Sequence, residues 1–200
     1  MSDIKIMVLV SGNGTNLQAL LDAEKKSGPG KITLVVSDRP GAYALERAKS
    51  AGVPAVIIEP DKNTAKEKRR QALSDRVLRL AQDHRIGLIV FAGFLSILSG
   101  DIIKEYAGKM INLHPALLPK FGGQGMYGER VHRSVLEAGE TESGCTVHIV
   151  DEGTDTGPIL LQRRVPVLPG DTPETLAERI HKEEHIAIVE GVKIMIGRTT

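Results

Sequence analysis

The sequence predicts an α/β protein, a single domain built on a doubly wound, mostly parallel sheet. Two observations predict it. Apolar runs rich in β-branched residues alternate with segments of helical spacing in the order β-α-β-α-β, which calls for right-handed crossovers between parallel strands. The chain's 200 residues suffice for one domain with a substantial core and no disulfide staples.

Ile4 to Val10 is apolar apart from Lys5 and reads as a strand buried on both faces. Ser11-Gly12-Asn13-Gly14-Thr15-Asn16 breaks the pattern, and Leu17, Leu20 and Leu21 resume it at helical spacing. Strand, glycine loop and helix in this order make an anion site suited to phosphate. Glycines let backbone amides approach a ligand, and the helix offers unpaired N–H groups at its positive end. A turn capped by Ser, Thr or Asn would have the same composition. The loop is neither a Walker A sequence nor a full G-x-G-x-x-G, so nucleoside triphosphates and dinucleotides are not implied.

Ile32 to Val36 and Ala55 to Ile58 give the next strands, separated by a polar turn from Ser37 to Gly41 and a helix from Tyr43 to Ala51. A charged cluster from Lys62 to Arg70 precedes a helix carrying Leu73, Val77, Leu78, Leu80 and Ala81, and reads mostly as a solvated face, with His84 capping the helix end. Gly87 to Ala92 is the most apolar strand, and the loop Gly93 to Leu98 follows it. Ligands in open α/β sheets bind outside the carboxyl ends of the strands, so this loop lines an apolar pocket or packs as plain core. After a short helix from Asp101 to Tyr106, the strand Met110 to His114 carries Asn112 and His114 two apart, hence on one face, at its carboxyl end. Taken alone, that pair reads as a strand end beside a satisfied histidine near the surface.

Gly122 to Gly128 holds four glycines in seven positions and is expected to be a mobile surface loop able to order over a substrate. A helix from Glu129 to Ala138 contains His132. Strands follow from Ser143 to Val150, containing His148, and from Ile159 to Val167. Their connection, Asp151 to Pro158, is acidic but lacks the regular spacing of a calcium loop, so a carboxylate beside His114 is the sharper expectation. Composition leaves Asp151 and Asp155 both open. Thr172-Pro173 caps a long terminal helix with Leu176, Ile180 and Ile186 to Val189 on its apolar side, and His181, Glu184 and His185 default to the surface.

Charge is nearly balanced, with 26 Lys plus Arg against 25 Asp plus Glu, which gives no electrostatic reason to expect non-specific binding to nucleic acid or membrane surfaces. No Trp, three Tyr and three Phe leave few platforms for stacking single-stranded bases. The single cysteine, Cys145, reads as core packing and suits a reducing compartment. The N-terminus has no basic and long apolar leader pattern and no run approaches ~18 apolar residues, so the expected location is cytoplasmic.

Taken together, Ser11-Gly12-Asn13-Gly14-Thr15-Asn16-Leu17, Ala92-Gly93-Phe94, Asn112-Leu113-His114-Pro115 with Leu117-Leu118-Pro119, and Asp155-Thr156-Gly157-Pro158 resemble phosphoribosylglycinamide formyltransferase, a folate-dependent family of purine synthesis. The resemblance covers essentially the whole chain. It implies a Rossmann-like formyltransferase fold with an antiparallel C-terminal portion. Residues 1–200 would form one domain, with phosphate binding in the half to about residue 100 and folate binding and catalysis in the half from about 101. The resemblance makes Asn112, His114 and Asp155 catalytic, choosing Asp155 over Asp151 because it stands two before Gly157-Pro158. It assigns Gly14, Thr15 and Asn16 to the ribonucleotide phosphate and Glu184 to the glycinamide and ribose end. Leu95, Ser96, Ile97 and Leu98 would wall the folate pocket with Asp151, Glu152, Gly153, Thr154 and Asp155, while Asn112 and Lys66 also reach the folate. Two departures stand out. Ser96 occupies a position where many members have an arginine for the folate tail, and the Gly122 to Gly128 loop differs from the shortest members.

The implied reaction moves a formyl group from 10-formyltetrahydrofolate to the amine of phosphoribosylglycinamide and needs no metal. Asn112 would donate to the oxyanion, His114 would move protons, and Asp155 would favour the imidazolium by its charge. The implied partners are these two small molecules, with no nucleic acid and no membrane, bound by a monomer or homodimer. Chain length favours this member over a tRNA formyltransferase or a formyltetrahydrofolate deformylase, each of which would add a domain. Two further readings stay open: a non-enzymatic sugar-phosphate or nucleotide-binding module, and a hydrolase that passes the formyl group to water.

Overall fold

The computed structural model describes residues 4–26, 30–60 and 63–198; Met1, Ser2 and Asp3 of the N-terminus and Lys62 of the charged cluster lie outside them. In chain order the elements are β1 (Lys5–Val10), α1 (Thr15–Lys25), β2 (Lys31–Ser37), α2 (Ala44–Ser50), β3 (Ala55–Ile57), α3 (Lys66–Asp83), β4 (Leu88–Phe91), α4 (Asp101–Glu105), β5 (Met110–His114), α5 (Glu129–Glu137), β6 (Glu142–Ile149), β7 (Ile159–Pro166) and α6 (Pro173–Gly197). One sheet runs β3-β2-β1-β4-β5-β6-β7. Pairing is parallel from β3 to β5 and antiparallel from β5 to β7. The expected fold class, including its antiparallel C-terminal portion, is therefore present.

Strand β1 shows why the sheet is covered on both sides. Ile6, Val8 and Val10 meet Leu17, Leu20 and Leu21 of α1 and Leu176, Ile180 and Ile188 of α6. Met7 and Leu9 face the other way, toward Leu73, Val77 and Ala81 of α3 and Ile102 of α4. A strand with both faces buried has no polar alternation, and each such aliphatic side chain contributes about 1.5–3 kcal/mol by leaving water. The chain steps outward from β1 to β3 and returns to β4 on the far side of β1. The loops after β1 and β4 therefore meet at a topological switch point, where such sheets bind ligands.

Two expectations change. Helix α3 begins at Lys66, so the part of the charged cluster from Lys66 to Arg70 forms its first turn and does not precede it; Lys66, Glu67 and Lys68 are exposed, while Arg69 and Arg70 are half-buried. On α6 the buried stripe runs through Leu176, Ile180, Glu184, Ala187 and Ile188, placing Glu184 at 5% exposure, while Ile186 falls off the stripe at 44%. Helical periodicity, not side-chain polarity, decides which residues face inward. Thr172 accepts from Thr175 N at 3.3 Å and Thr175 Oγ1 accepts from Thr172 N at 2.9 Å, a capping box at the helix start. Among the described residues no helix is long and apolar enough to cross a membrane.

Candidate active site

The loop after β1 is shaped by backbone. Gly14 holds φ +77°, and a Cβ there would stand 2.5 Å from Ala44 Cβ, so only glycine fits between α1 and α2. No side chain caps α1; its first ladder bond is Gln18 N to Gly14 O at 2.9 Å. The alternative of a loop closed by its own Ser, Thr or Asn cap is therefore not what forms. Ser11 N donates to Gly93 O at 3.0 Å and Leu95 N donates to Ser11 Oγ at 2.8 Å, which joins the loops after β1 and β4. Across the helix start, Asn16 Nδ2 donates to buried Glu184 Oε2 at 3.4 Å, and His181 Nε2 lies 3.8 Å from the same oxygen. Burial raises the Glu184 carboxyl above its ordinary value, with His181 and Asn16 pulling the other way.

The second assembly forms at the carboxyl end of β5, where pairing turns antiparallel. Asn112 lies opposite His148 and His114 opposite Thr146. Thr146 Oγ1 donates to Ala116 O at 2.6 Å and accepts from Leu118 N at 3.1 Å and Gln162 Nε2 at 3.0 Å, which pins the proline-rich loop after His114. Asp155 reaches in from the β6–β7 connection. Its Oδ2 lies 3.5 Å from His114 Nδ1 and accepts from Gly123 N at 3.0 Å; its Oδ1 accepts from Asn112 Nδ2 at 3.3 Å and lies 3.5 Å from His148 Nε2. A Cβ on Gly157 would lie 1.9 Å from Ile149 O, so the glycine two after Asp155 lets the connection close against β6. Phe121 and Asp155, two non-glycine residues in the left-handed region at φ 55° and 59°, flank His114.

Proton positions follow from partners. His114 Nε2 is 2.8 Å from Phe121 O, and a carbonyl only accepts, so Nε2 carries the hydrogen and Nδ1 faces Asp155. Burial lowers the His114 pKa; the Asp155 charge and the Phe121 hydrogen bond oppose that without overcoming it, and His148 adds to the lowering. The carboxylate does favour the imidazolium as expected, but desolvation of a ring only 3% exposed wins. Burial pushes Asp155 up. The His148 hydrogen bond, the His114 charge and Gly123 N–H together outweigh it and hold the carboxyl below its ordinary value. The resting pair is thus a neutral imidazole with an open Nδ1 lone pair beside an ionised carboxylate.

Next to this assembly lies a cleft of about 960 Å³ lined by Asp38, Arg39, Lys66, Arg69, Arg70, Leu95, Ser96, Ile97, Gln124 and Thr154, among others. It gathers Lys66, Leu95, Ser96, Ile97 and Thr154 from the anticipated folate set. Leu98 is buried in the core with its carbonyl accepting from Arg70, and Asp151 turns back to accept from Gly153 N and Thr156 Oγ1. Glu152 and Gly153 are exposed and do not line the cleft. Among the described residues no group of three or more His, Cys, Asp or Glu side chains is placed to hold a metal ion.

Residues 4–192 match the formyl transferase family. The chain belongs to the formyl transferase family. It is similar to the trifunctional purine biosynthetic protein adenosine-3 of Drosophila melanogaster, 43% identical over 98% of this chain and 14% of the relative. It is also similar to phosphoribosylglycinamide formyltransferase of Escherichia coli, 38% identical over 91% of this chain and 82% of the relative. The solved glycinamide ribonucleotide transformylase 1 of Symbiobacterium toebii superposes with a TM-score of 0.87 at 41% identity, covering 98% of this chain and 89% of that one. The chain spans 14% to 18% of the length of the trifunctional relatives.

Within this formyl transferase fold, three site contacts escape a reading of residue types. His148 joins Asn112 and Asp155 through strand register. Phe121 and Gly123 act through a carbonyl and an N–H, so the start of the glycine-rich loop is tied to the site. Ser96 donates to Asp38 Oδ2 at 2.7 Å in the cleft, where buried Asp38 Oδ1 and Arg70 Nε have no partner among the described residues. The wish of these two atoms for a donor and an acceptor fits a polar ligand.

Proposed function

We propose that the chain transfers the formyl group of 10-formyltetrahydrofolate to the amine of phosphoribosylglycinamide, giving phosphoribosyl-N-formylglycinamide and tetrahydrofolate. The observation that carries this is the convergence of Asn112 and His114 on Asp155, each with a nitrogen within 3.5 Å of its carboxylate, beside a cleft of about 960 Å³. Family membership and the E. coli relative's name support the substrate pair. Gly14, Thr15 and Asn16 would take the phosphate at the uncapped start of α1, and Glu184 the glycinamide and ribose end. Lys66, Leu95, Ser96, Ile97 and Thr154 would hold the folate. Residues 1–200 would act as one domain, in the cytoplasm, as a monomer or homodimer.

The folate supplies the electrophilic formyl carbon and a leaving nitrogen. His114 Nδ1 takes the proton from the attacking amine. The new imidazolium N–H then faces Asp155 Oδ2, which holds its charge until the proton passes to the leaving nitrogen. Asn112 steadies the oxyanion. In the resting site its Nδ2 lies 3.1 Å from His148 Nε2 and donates to Asp155 Oδ1 at 3.3 Å, so a resting contact is exchanged for the oxyanion on reaction. His148 stands beside that exchange, with Nδ1 2.9 Å from Ile149 O and Nε2 within 3.5 Å of both Asn112 Nδ2 and Asp155 Oδ1.

The test follows loss of 10-formyltetrahydrofolate with and without phosphoribosylglycinamide and identifies the formylated product by mass. The expected result is amine-dependent consumption with one product per folate consumed. Consumption at the same rate without the amine would make the chain a hydrolase, and none at all would leave a binding module.

A further inference from the structure

Beside the phosphate loop, on α2, stands a cation that the proposed reaction does not use. Arg47 is half-buried, and three of its nitrogens grip the loop and the helix after it: Nε donates to Asn13 O at 2.9 Å, Nη2 to Asn13 Oδ1 at 2.7 Å, and Nη1 to Gln18 Oε1 of α1 at 3.2 Å. The guanidinium carbon lies 5.0 Å from the centroid of the Tyr43 ring, within cation–π range. Gln18 is held in turn by donating to Asp22 Oδ1 at 3.0 Å. The same helix contacts the loop at two more points, with Ala44 N donating to Gly12 O at 3.1 Å and Ala44 packed where a Gly14 side chain would stand.

We infer that Arg47 is a positioning residue for phosphate recognition: its fork sets the conformation of Asn13 and Gly14, and so the aim of the backbone N–H groups at the start of α1, without itself being catalytic. This rests on the proposed function for the identity of the phosphorylated substrate. Three features favour positioning over a plain surface ion pair. Among the described residues Arg47 donates to a backbone carbonyl and two side-chain amide oxygens, all neutral, so its charge is not spent on a carboxylate there. Its two bonds to Asn13 reach the backbone and the side chain of one residue, a geometry that a rigid fork satisfies and an ammonium does not. The loop has no cap of its own, so an external brace is what holds it. The positive charge also reaches His185, where it adds to the lowering of that ring's pKa behind burial and His181.

The experiment compares Arg47→Met and Arg47→Lys with the unaltered enzyme. One readout is steady-state kinetics with phosphoribosylglycinamide and with its dephosphorylated nucleoside; the other is binding of inorganic phosphate to the free enzyme, followed by NMR shifts of the loop amides. The expected result is a rise in KM for the phosphorylated substrate on the order of tenfold, the equivalent of one charge-assisted hydrogen bond, in both variants. The same variants should keep kcat and the KM for the formyl-folate, handle the dephosphorylated nucleoside as the unaltered enzyme does, and bind phosphate correspondingly more weakly. Asn13→Ala should not add to the loss in Arg47→Met, because both remove the same clamp. Unchanged KM in Arg47→Met, equal losses for both substrates, or an Arg47→Lys variant indistinguishable from the unaltered enzyme would overturn the inference. If the unaltered enzyme binds phosphate at these amides but does not formylate the amine, the proposed function fails while the clamp can still be judged from phosphate binding.

Discussion

The loop after β1 and the assembly at the end of β5 are built by opposite means. The first is made of backbone: a glycine at φ +77°, an uncapped helix start and a carbonyl held by Arg47, all within a few residues or one helix away. The second is made of side chains from distant segments, brought together because β6 runs antiparallel to β5 and sets His148 against Asn112. A site that only holds an anion needs N–H groups, which any sequence supplies once the turn is right. A site that moves protons needs particular titratable atoms at particular distances, and only tertiary pairing supplies those.

This contrast predicts which measurements each region will disturb. The largest effect belongs to His114→Ala, which should lower kcat by about 10²–10⁴-fold while leaving binding of the ribonucleotide nearly unchanged, as checked by stopped-flow and calorimetry. His148→Phe should cost about ten- to hundredfold in kcat, since it removes the ring nitrogen that faces Asn112 and Asp155. Gly14→Ala should act in the other sense. With its new Cβ against Ala44 and a φ that penalises side chains, it should raise KM for the ribonucleotide about tenfold and lower stability by about 1–3 kcal/mol, with little change in kcat.

At His132 a pH effect falls on stability and not on either substrate. Burial, then the His181 and His114 charges, lower the His132 pKa from 6.5 to about 4. An unfolded chain therefore binds the proton first as pH falls, so the stabilising contribution is complete above about pH 6.5 and is lost progressively toward pH 4. The gap corresponds to about 3 kcal/mol, and His132→Leu should flatten the fall in melting temperature across that window. His114 has the same sign. Its lowered pKa keeps it a base at neutral pH, so kcat/KM should fall only on the acid side of the ordinary histidine range.

Legibility in the sequence follows the same division. The turn at Gly14 is legible because a glycine loop between a strand and a helix is a local pattern; phosphate binding by Gly14, Thr15 and Asn16 is the proposed reading. The resemblance, not spacing, selected Asp155 over Asp151, and the structure places Asp155 beside His114 and Asp151 in a turn of its own. His148 was visible only as a histidine in a strand, since residue types do not reveal register. Phe121 O and Gly123 N–H were invisible because backbone groups carry no signature in composition. Glu184 and Ile186 were placed on the wrong sides of α6 when polarity stood in for helical phase. Leu98 looked like pocket lining for the same reason that apolar loops and apolar core look alike.

The division of labour is tested most directly by the single-turnover rate of Asp155→Asn with both substrates saturating. The amide keeps the shape but removes the charge that faces the His114 imidazolium, so the rate should fall at least about a hundredfold while the ribonucleotide's Kd stays within about twofold. An Asp155→Asn enzyme that transfers formyl at the full rate, or loses binding and rate in equal measure, would contradict the account.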